Sequence, residues 1–152
     1  MIPKTSIHDF IASVKSQKAP GNYYTSGLII RKKGTDNLGV QDIGDALAEY
    51  IFLEVDEGIK DTTILEHFKK AFEEKRWLFI YLADGTLPKL LREQLSRIKD
   101  SNTVFIQGQS VEDTFFGNQP DQSRIVVLID EENIAKVDYP QFLGLFGPII
   151  EV

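Results

Sequence analysis

The chain has 152 residues, 42% apolar and 26% charged, with no cysteine and a net charge of −6. That is the size of one ordinary α/β-compatible domain, 1–152, able to bury a core without a covalent staple. Disulfides, thiolate metal centres and cysteine nucleophiles are excluded. No apolar run approaches the ~20 residues that span a bilayer. "MIPKTSIHDF" lacks a charged stretch followed by an apolar one, so no secretory signal is expected and the expected location is cytoplasmic.

The first predicted element is a helix. Ile7, Phe10, Ile11 and Val14 recur at i, i+3, i+4 and i+7, and Ser6 with Asp9 reads as a capping box. "KAPGN" stops it, "YYTSGLIIRKK" reads as a strand and "GTDNLG" as a turn. "VQDIGDALAEY" is a short helix that leads directly into the strand "YIFLEV". "TTILEHFKKAFEEK" is a helix with Ile64, Leu65, Phe68, Ala71 and Phe72 on one face, followed by the unbroken apolar strand "WLFIYL". "LPKLLREQLSRIK" is a second amphipathic helix, with Leu87, Leu90, Leu91, Leu95 and Ile98 on one face; Pro88 is tolerated in its first turn. "TVFIQ" reads as a strand, "SVEDTFF" as a short helix opened by Ser110 and Asp113, and "RIVVLI" as a strand. The apolar C-terminal stretch "DYPQFLGLFGPIIEV" reads either as a short helix with an edge strand that completes the core, or as a docking tail.

Strands that are apolar throughout, alternating with helices, indicate a parallel sheet covered on both faces. The expected fold is therefore a three-layer α/β domain with a mostly parallel sheet, Rossmann-like in the broad sense, with right-handed crossovers.

Charge is distributed unevenly. Residues 1–33 carry six Lys/Arg and one Asp (+5), and residues 34–152 carry 11 Lys/Arg and 22 Asp/Glu (−11). An acidic body is a poor general binder of nucleic acid, because phosphate contacts need clustered cations. Arg31, Lys32 and Lys33 offer a local anion contact, or simply offset the acidic remainder.

In open parallel sheets ligands bind beyond the carboxyl ends of the strands. Those positions here hold Asp56, Glu57 and Gly58 after "YIFLEV", Asp84 and Gly85 after "WLFIYL", and Asp130, Glu131 and Glu132 after "RIVVLI"; Gly108, Gln109 and Ser110 follow "TVFIQ". A carboxylate cluster there would suit Mg²⁺ and phosphoryl transfer. The same residues also suit plain turns, since Asp caps helices and Gly permits chain reversal.

Two motifs carry resemblances. "IFLEVDE" and "VVLIDE" are similar to the Mg²⁺-binding strand of P-loop ATPases, and the stretch from "EEKRWLFIYL" to "NTVFIQ" loosely resembles DNA-pumping and conjugation ATPases. The phosphate loop G-x-x-x-x-G-K-S/T is missing, as none of the 11 glycines precedes a lysine, which removes the main support for triphosphate binding. "EGIKD" and "DEE" resemble the two acidic motifs of Toprim domains. That resemblance implies Glu57 as general acid/base, with Asp130 and Glu132 as metal ligands. It departs from the pattern: Glu57 sits two residues beyond the apolar run, and Glu132 replaces an Asp.

Other catalytic patterns are weaker. His8 and His67 lie roughly 100° off their apolar helix faces, and there is no G-x-S-x-G elbow. Trp77 opens an apolar strand and is expected in the core rather than stacked on a base. The favoured expectation is a non-catalytic, acidic α/β protein-binding module with a regulatory or assembly role and no cofactor. Its partner would be another protein, not nucleic acid or a membrane, and would dock on Phe142, Leu145 and Phe146. The alternative is a Mg²⁺-dependent phosphoryl-transfer enzyme, a Toprim-like nuclease or nucleotide hydrolase, with Glu57, Asp84 and Asp130 catalytic and Asp130 and Glu132 on the metal.

Overall fold

The computed structural model describes residues 7, 9–12, 18–19, 23–24, 26–32, 39–47, 49–74, 76–101, 103–106, 109–112, 125–137 and 139–152. Two short strands, β1 (Lys18–Ala19) and β2 (Tyr23–Tyr24), pair antiparallel as a separate ribbon. The main elements then follow: β3 (Ser26–Arg31), α1 (Val40–Leu47), β4 (Tyr50–Val55), α2 (Asp61–Glu74), β5 (Trp77–Leu82) and α3 (Lys89–Ser101). After them come β6 (Thr103–Ile106), β7 (Gln109–Glu112), β8 (Ile125–Asp130), a 3₁₀ helix (Glu131–Lys136), α4 (Tyr139–Leu143) and β9 (Phe146–Glu151).

Five strands form one parallel sheet in the order β4-β5-β8-β3-β9. The β3-to-β4 connection runs past β8 and β5 to the far edge, whereas the next three connections run the other way. Right-handed crossovers therefore place α1 on one face and α2, α3 and α4 on the other. Burial follows this division. Leu28, Ile30, Leu53, Ile80 and Val127 pack with Ile64 and Phe68 of α2, Leu91 and Leu95 of α3, and Phe142 of α4. Ile29, Phe79, Val126 and Leu128 pack on the opposite face with Ile43 and Leu47 of α1, and with the helical residues Ile7, Phe10 and Ile11. The architecture is the expected three-layer α/β fold. Val14 and Ser6 of the predicted first helix, and most of the turn "GTDNLG", lie outside the described residues.

The central strands β3, β5 and β8 are apolar on both faces because helices cover both. At the β4 edge the pattern becomes alternating: Ile51, Leu53 and Val55 are buried, while Phe52 and Glu54 are exposed. Among the described residues, no helix is long and apolar enough to cross a membrane.

Two expectations are corrected. "TVFIQ" does not join the parallel sheet, and "SVEDTFF" does not open as a helix: β6 and β7 form an antiparallel pair of their own, with Thr103 opposite Glu112 and Ile106 opposite Gln109. Connection length accounts for the antiparallel sense of this pair: a parallel partner needs a crossover of about a dozen residues, whereas this register leaves only 107 and 108 between β6 and β7, the length of a tight hairpin. Asp113 and the rest of the predicted helix lie outside the described residues.

The C-terminal stretch is a short helix followed by an edge strand. Phe142 is fully buried and Phe146 nearly so, and their rings meet edge-to-face at 5.0 Å. β9 pairs with β3, but its register shifts between Ser26 and Leu28, opposite Gly147 and Pro148. Pro148 has no N–H to give to the ladder, and one extra residue there forms a bulge.

Candidate functional site

Adjacent strands whose connections leave in opposite directions open a crevice at their carboxyl ends. In this sheet that point lies between β3 and β8. The parallel register sets Arg31 directly opposite Asp130 there. Arg31 Nε donates to Asp130 Oδ1 at 2.6 Å, and the Tyr81 hydroxyl, from β5, donates to Asp130 Oδ2 at 2.6 Å. Arg31 Nη2 also reaches the Tyr81 oxygen at 3.2 Å, and its guanidinium lies 5.6 Å from the centre of the Tyr81 ring. Three neighbouring strands are thus tied together at one end by a single polar cluster.

The cluster is part-buried, with Arg31 and Asp130 side chains 21% and 16% exposed. Burial acts to raise the Asp130 carboxyl, but hydrogen bonds from Arg31 and Tyr81 and the charge of Arg31 outweigh it and hold the group below its ordinary range. Arg31 is raised, chiefly by its hydrogen bond to Asp130. Tyr81 is pushed up to about 12, by burial first and then by donating to Asp130.

Asp84 is the second hub. Its Oδ2 accepts the Glu57 N–H at 3.0 Å and its Oδ1 accepts the Thr86 N–H at 2.9 Å. Hydrogen bonds from Thr86, and then from Glu57, hold its carboxyl below the usual range. The Asp84 carbonyl accepts Lys136 Nζ at 2.9 Å, and Asn133 Nδ2 donates to the Ala83 carbonyl at 3.3 Å. The loop between them turns at Gly85, whose φ of 81° is in the left-handed region. A Cβ there would sit 2.8 Å from Asn133 Cβ and 3.0 Å from its carbonyl oxygen, so glycine is required on both counts. Asp56 closes its own turn by accepting the Gly58 N–H at 2.9 Å, an Asx-turn.

Of the sequence-predicted residues, the structure brings Glu57 and Asp84 together, through backbone rather than through two carboxylates. Asp130 stands on β8, separated from β4 by β5. Glu132 is exposed in the first turn of the 3₁₀ helix. Gln109 and Ser110 belong to the separate hairpin. Mg²⁺ takes a near-octahedral shell of oxygens at ~2.1 Å. The carboxylates do not converge as such a shell needs: Asp130, on β8, is ion-paired with Arg31, and Asp84 turns its oxygens to the Glu57 and Thr86 N–H groups beyond β5. Among the described residues, no three His, Asp or Glu side chains gather as a metal centre would require.

Arg31 and Tyr81 are the functional neighbours that sequence reasoning missed as partners of Asp130. The available signals were Arg31 at the end of an apolar strand and Tyr81 as the polar member of "WLFIYL"; neither announces a contact across 99 and 49 positions of chain. His67 is half-buried, with Nδ1 2.7 Å from the Thr63 carbonyl oxygen.

At the opposite edge, Leu145 is half-buried beside the buried Phe142 and Phe146. Ile149 stands opposite Leu28, which puts it on the face covered by α2, α3 and α4, and it is 42% exposed. No family model matches the chain, and no curated protein matches it.

Proposed function

We propose that the chain is a non-catalytic α/β protein-binding module with a regulatory or assembly role in the cytoplasm. The observation that carries this reading is the exposed Ile149 on β9, on the same face of the sheet as the half-buried Leu143 and Leu145. Phe142 and Phe146 hold that segment from within, and Leu145 and Ile149 are the side chains a partner would meet. The carboxylates beyond the strands support the same reading, since those of Asp56, Asp84 and Asp130 brace loops and neighbouring strands.

The test is cross-linking in cells with the full chain as bait, comparing wild type with Leu145→Lys and Ile149→Lys. Ile149→Lys, at the more exposed position, should stay close to the wild-type melting temperature, whereas Leu145→Lys takes a half-buried side chain from the edge of the core and should cost about 1–2 kcal/mol while remaining folded. Proteins captured by wild type should be lost from both. Retention of the same set by both variants would overturn the assignment of this face. A parallel titration with Mg²⁺ and Mn²⁺ plus nucleotide, followed by thermal melting, should give no saturable stabilisation. A saturable shift that Asp130→Asn abolishes would instead favour metal-dependent phosphoryl transfer.

A further inference from the structure

Among the described residues the sheet has two edges, β4 and β9, and they differ. Proteins blunt edge strands with bulges, proline and charge, because unpaired N–H and C=O groups invite another strand. β9 carries all three: the register shift, Pro148, and Glu151 in an exposed ion pair with Lys32 at 3.1 Å. β4 has neither bulge nor proline. All six of its residues run in unbroken register with β5, from Tyr50 opposite Trp77 to Val55 opposite Leu82.

The direction of its backbone groups can be worked out. Trp77 N–H donates to the Glu49 carbonyl at 3.3 Å, and Ala83 N–H to the Val55 carbonyl at 2.9 Å. Groups alternate along a strand, so residues 49, 51, 53 and 55 point toward β5. Tyr50, Phe52 and Glu54 therefore turn their N–H and C=O outward. The same three residues present their side chains on the α1 face, where Phe52 is 37% exposed and rests edge-to-face on Phe79 at 5.5 Å. A groove of about 390 Å³ runs along this edge, with Tyr50, Ile51 and Phe52 on one side and Glu66, His67 and Lys70 of α2 on the other.

We propose that β4 pairs with β4 of a second copy of this chain, antiparallel about a two-fold axis through Phe52, joining the two sheets into one. A two-fold axis normal to the sheet keeps each face on its own side, so outward-facing residues must oppose outward-facing residues; among those registers, full overlap of Tyr50, Phe52 and Glu54 selects Phe52 opposite Phe52 of the second copy, and Tyr50 opposite Glu54. All three pairs are then of the hydrogen-bonded kind, on the order of six bonds in total. A helix centred over β4 and β5 would sit about 10 Å from its mate across strands ~4.8 Å apart, within helix-packing distance.

Charge selects the copy as the occupant. Glu66 and Lys70 are one turn apart on the groove wall, exposed, and neither has an ion-pair partner among the described residues. Reversing α2 about the axis brings Glu66 to Lys70 of the second copy and Lys70 to its Glu66. The surface is therefore complementary to itself, as a two-fold interface must be. This contact is separate from the C-terminal face and does not rest on it.

The test is sedimentation equilibrium of the full chain across micromolar to millimolar concentrations. Wild type should dimerise. Phe52→Lys, which sets two cations face to face on the axis, should be monomeric throughout while keeping its helical circular dichroism. Glu66→Lys and Lys70→Glu should each weaken the dimer roughly tenfold, since each replaces two symmetric attractions by repulsions. The double variant Glu66→Lys/Lys70→Glu should return to within about threefold of wild type, and Ile149→Lys should dimerise normally. A monomeric wild type at millimolar concentration would overturn the proposal. So would a dimer that persists in Phe52→Lys, or a double variant no tighter than either single change.

Discussion

Removing Asp130 tests whether the polar cluster clamps the carboxyl end of the sheet. Asp130→Ala takes away two short hydrogen bonds, from Arg31 and from Tyr81, and leaves a guanidinium whose side chain is only 21% exposed. Hydrogen bonds to charged groups contribute about 1.5–3 kcal/mol each, while exposed ion pairs contribute below ~1 kcal/mol. With partial exposure, a loss of about 2–4 kcal/mol is expected, a fall in Tm of roughly 6–12 °C for a chain of this size. The diagnostic is coupling. Arg31→Met alone leaves a part-buried carboxylate short of its cation and should cost a similar amount. Once it is in place, losing Asp130 should cost little more, so a double-mutant cycle by urea unfolding should give about 2 kcal/mol of interaction. The acid limb provides a second reading. Asp130 is held below its unfolded pKa of ~3.9, so the folded state binds its proton less readily. Its stabilisation is full above that pH and is lost as pH falls through the folded value, so the gap between wild type and Asp130→Asn should close below about pH 4. A coupling under about 0.5 kcal/mol, or a gap that does not change with pH, would refute the clamp.

Tyr81 should affect the opposite limb. Its pKa is pushed up to about 12, so the folded state holds the phenol proton after the unfolded state has lost it. Stability from Tyr81 is present below pH ~10 and lost between roughly pH 10 and 12. A phenolate absorbance titration should show one tyrosine ionising late, and that component should vanish in Tyr81→Phe. Gly85→Ala should destabilise by about 2–4 kcal/mol in thermal melts, combining the left-handed penalty with a Cβ forced against Asn133. Phe142→Ala should cost about 3–5 kcal/mol, and removal of 139–152 should unfold the protein in circular dichroism, because both take buried side chains from the core.

The parts of the fold legible in the sequence are those where local pattern and final environment coincide. "WLFIYL" and "RIVVLI" are apolar throughout because both faces are covered, and each became a central strand. Leu91, Leu95 and Ile98 recur at helical spacing because one face of α3 meets the sheet. "TVFIQ" carries the same apolar signal, yet it pairs with β7 in a hairpin of its own, and hydrophobicity alone does not encode which strand becomes its partner. The Ser110–Asp113 spacing of a capping box competed with pairing to β6, and at Ser110–Glu112 pairing prevailed.

Site geometry was less legible because it depends on contacts distant in the chain. An acid after an apolar strand reads the same whether it faces a metal, caps a turn or meets an arginine. For Asp130 the distinction lies in strand order: β3 is inserted next to β8, so that Arg31 faces Asp130 across 99 positions of chain. That insertion sets a cation against the carboxylate, a pairing that neither strand announces by itself. The edges follow the same logic. "FGPIIEV" and "YIFLEV" are both largely apolar, but Pro148 and Glu151 make β9 unreceptive to another strand. "YIFLEV" keeps an unbroken ladder facing outward, with Phe52 at its middle and a self-complementary charge pair beside it. The better template for pairing is thus the strand with the regular outward row of backbone groups, since that is what an incoming strand needs first.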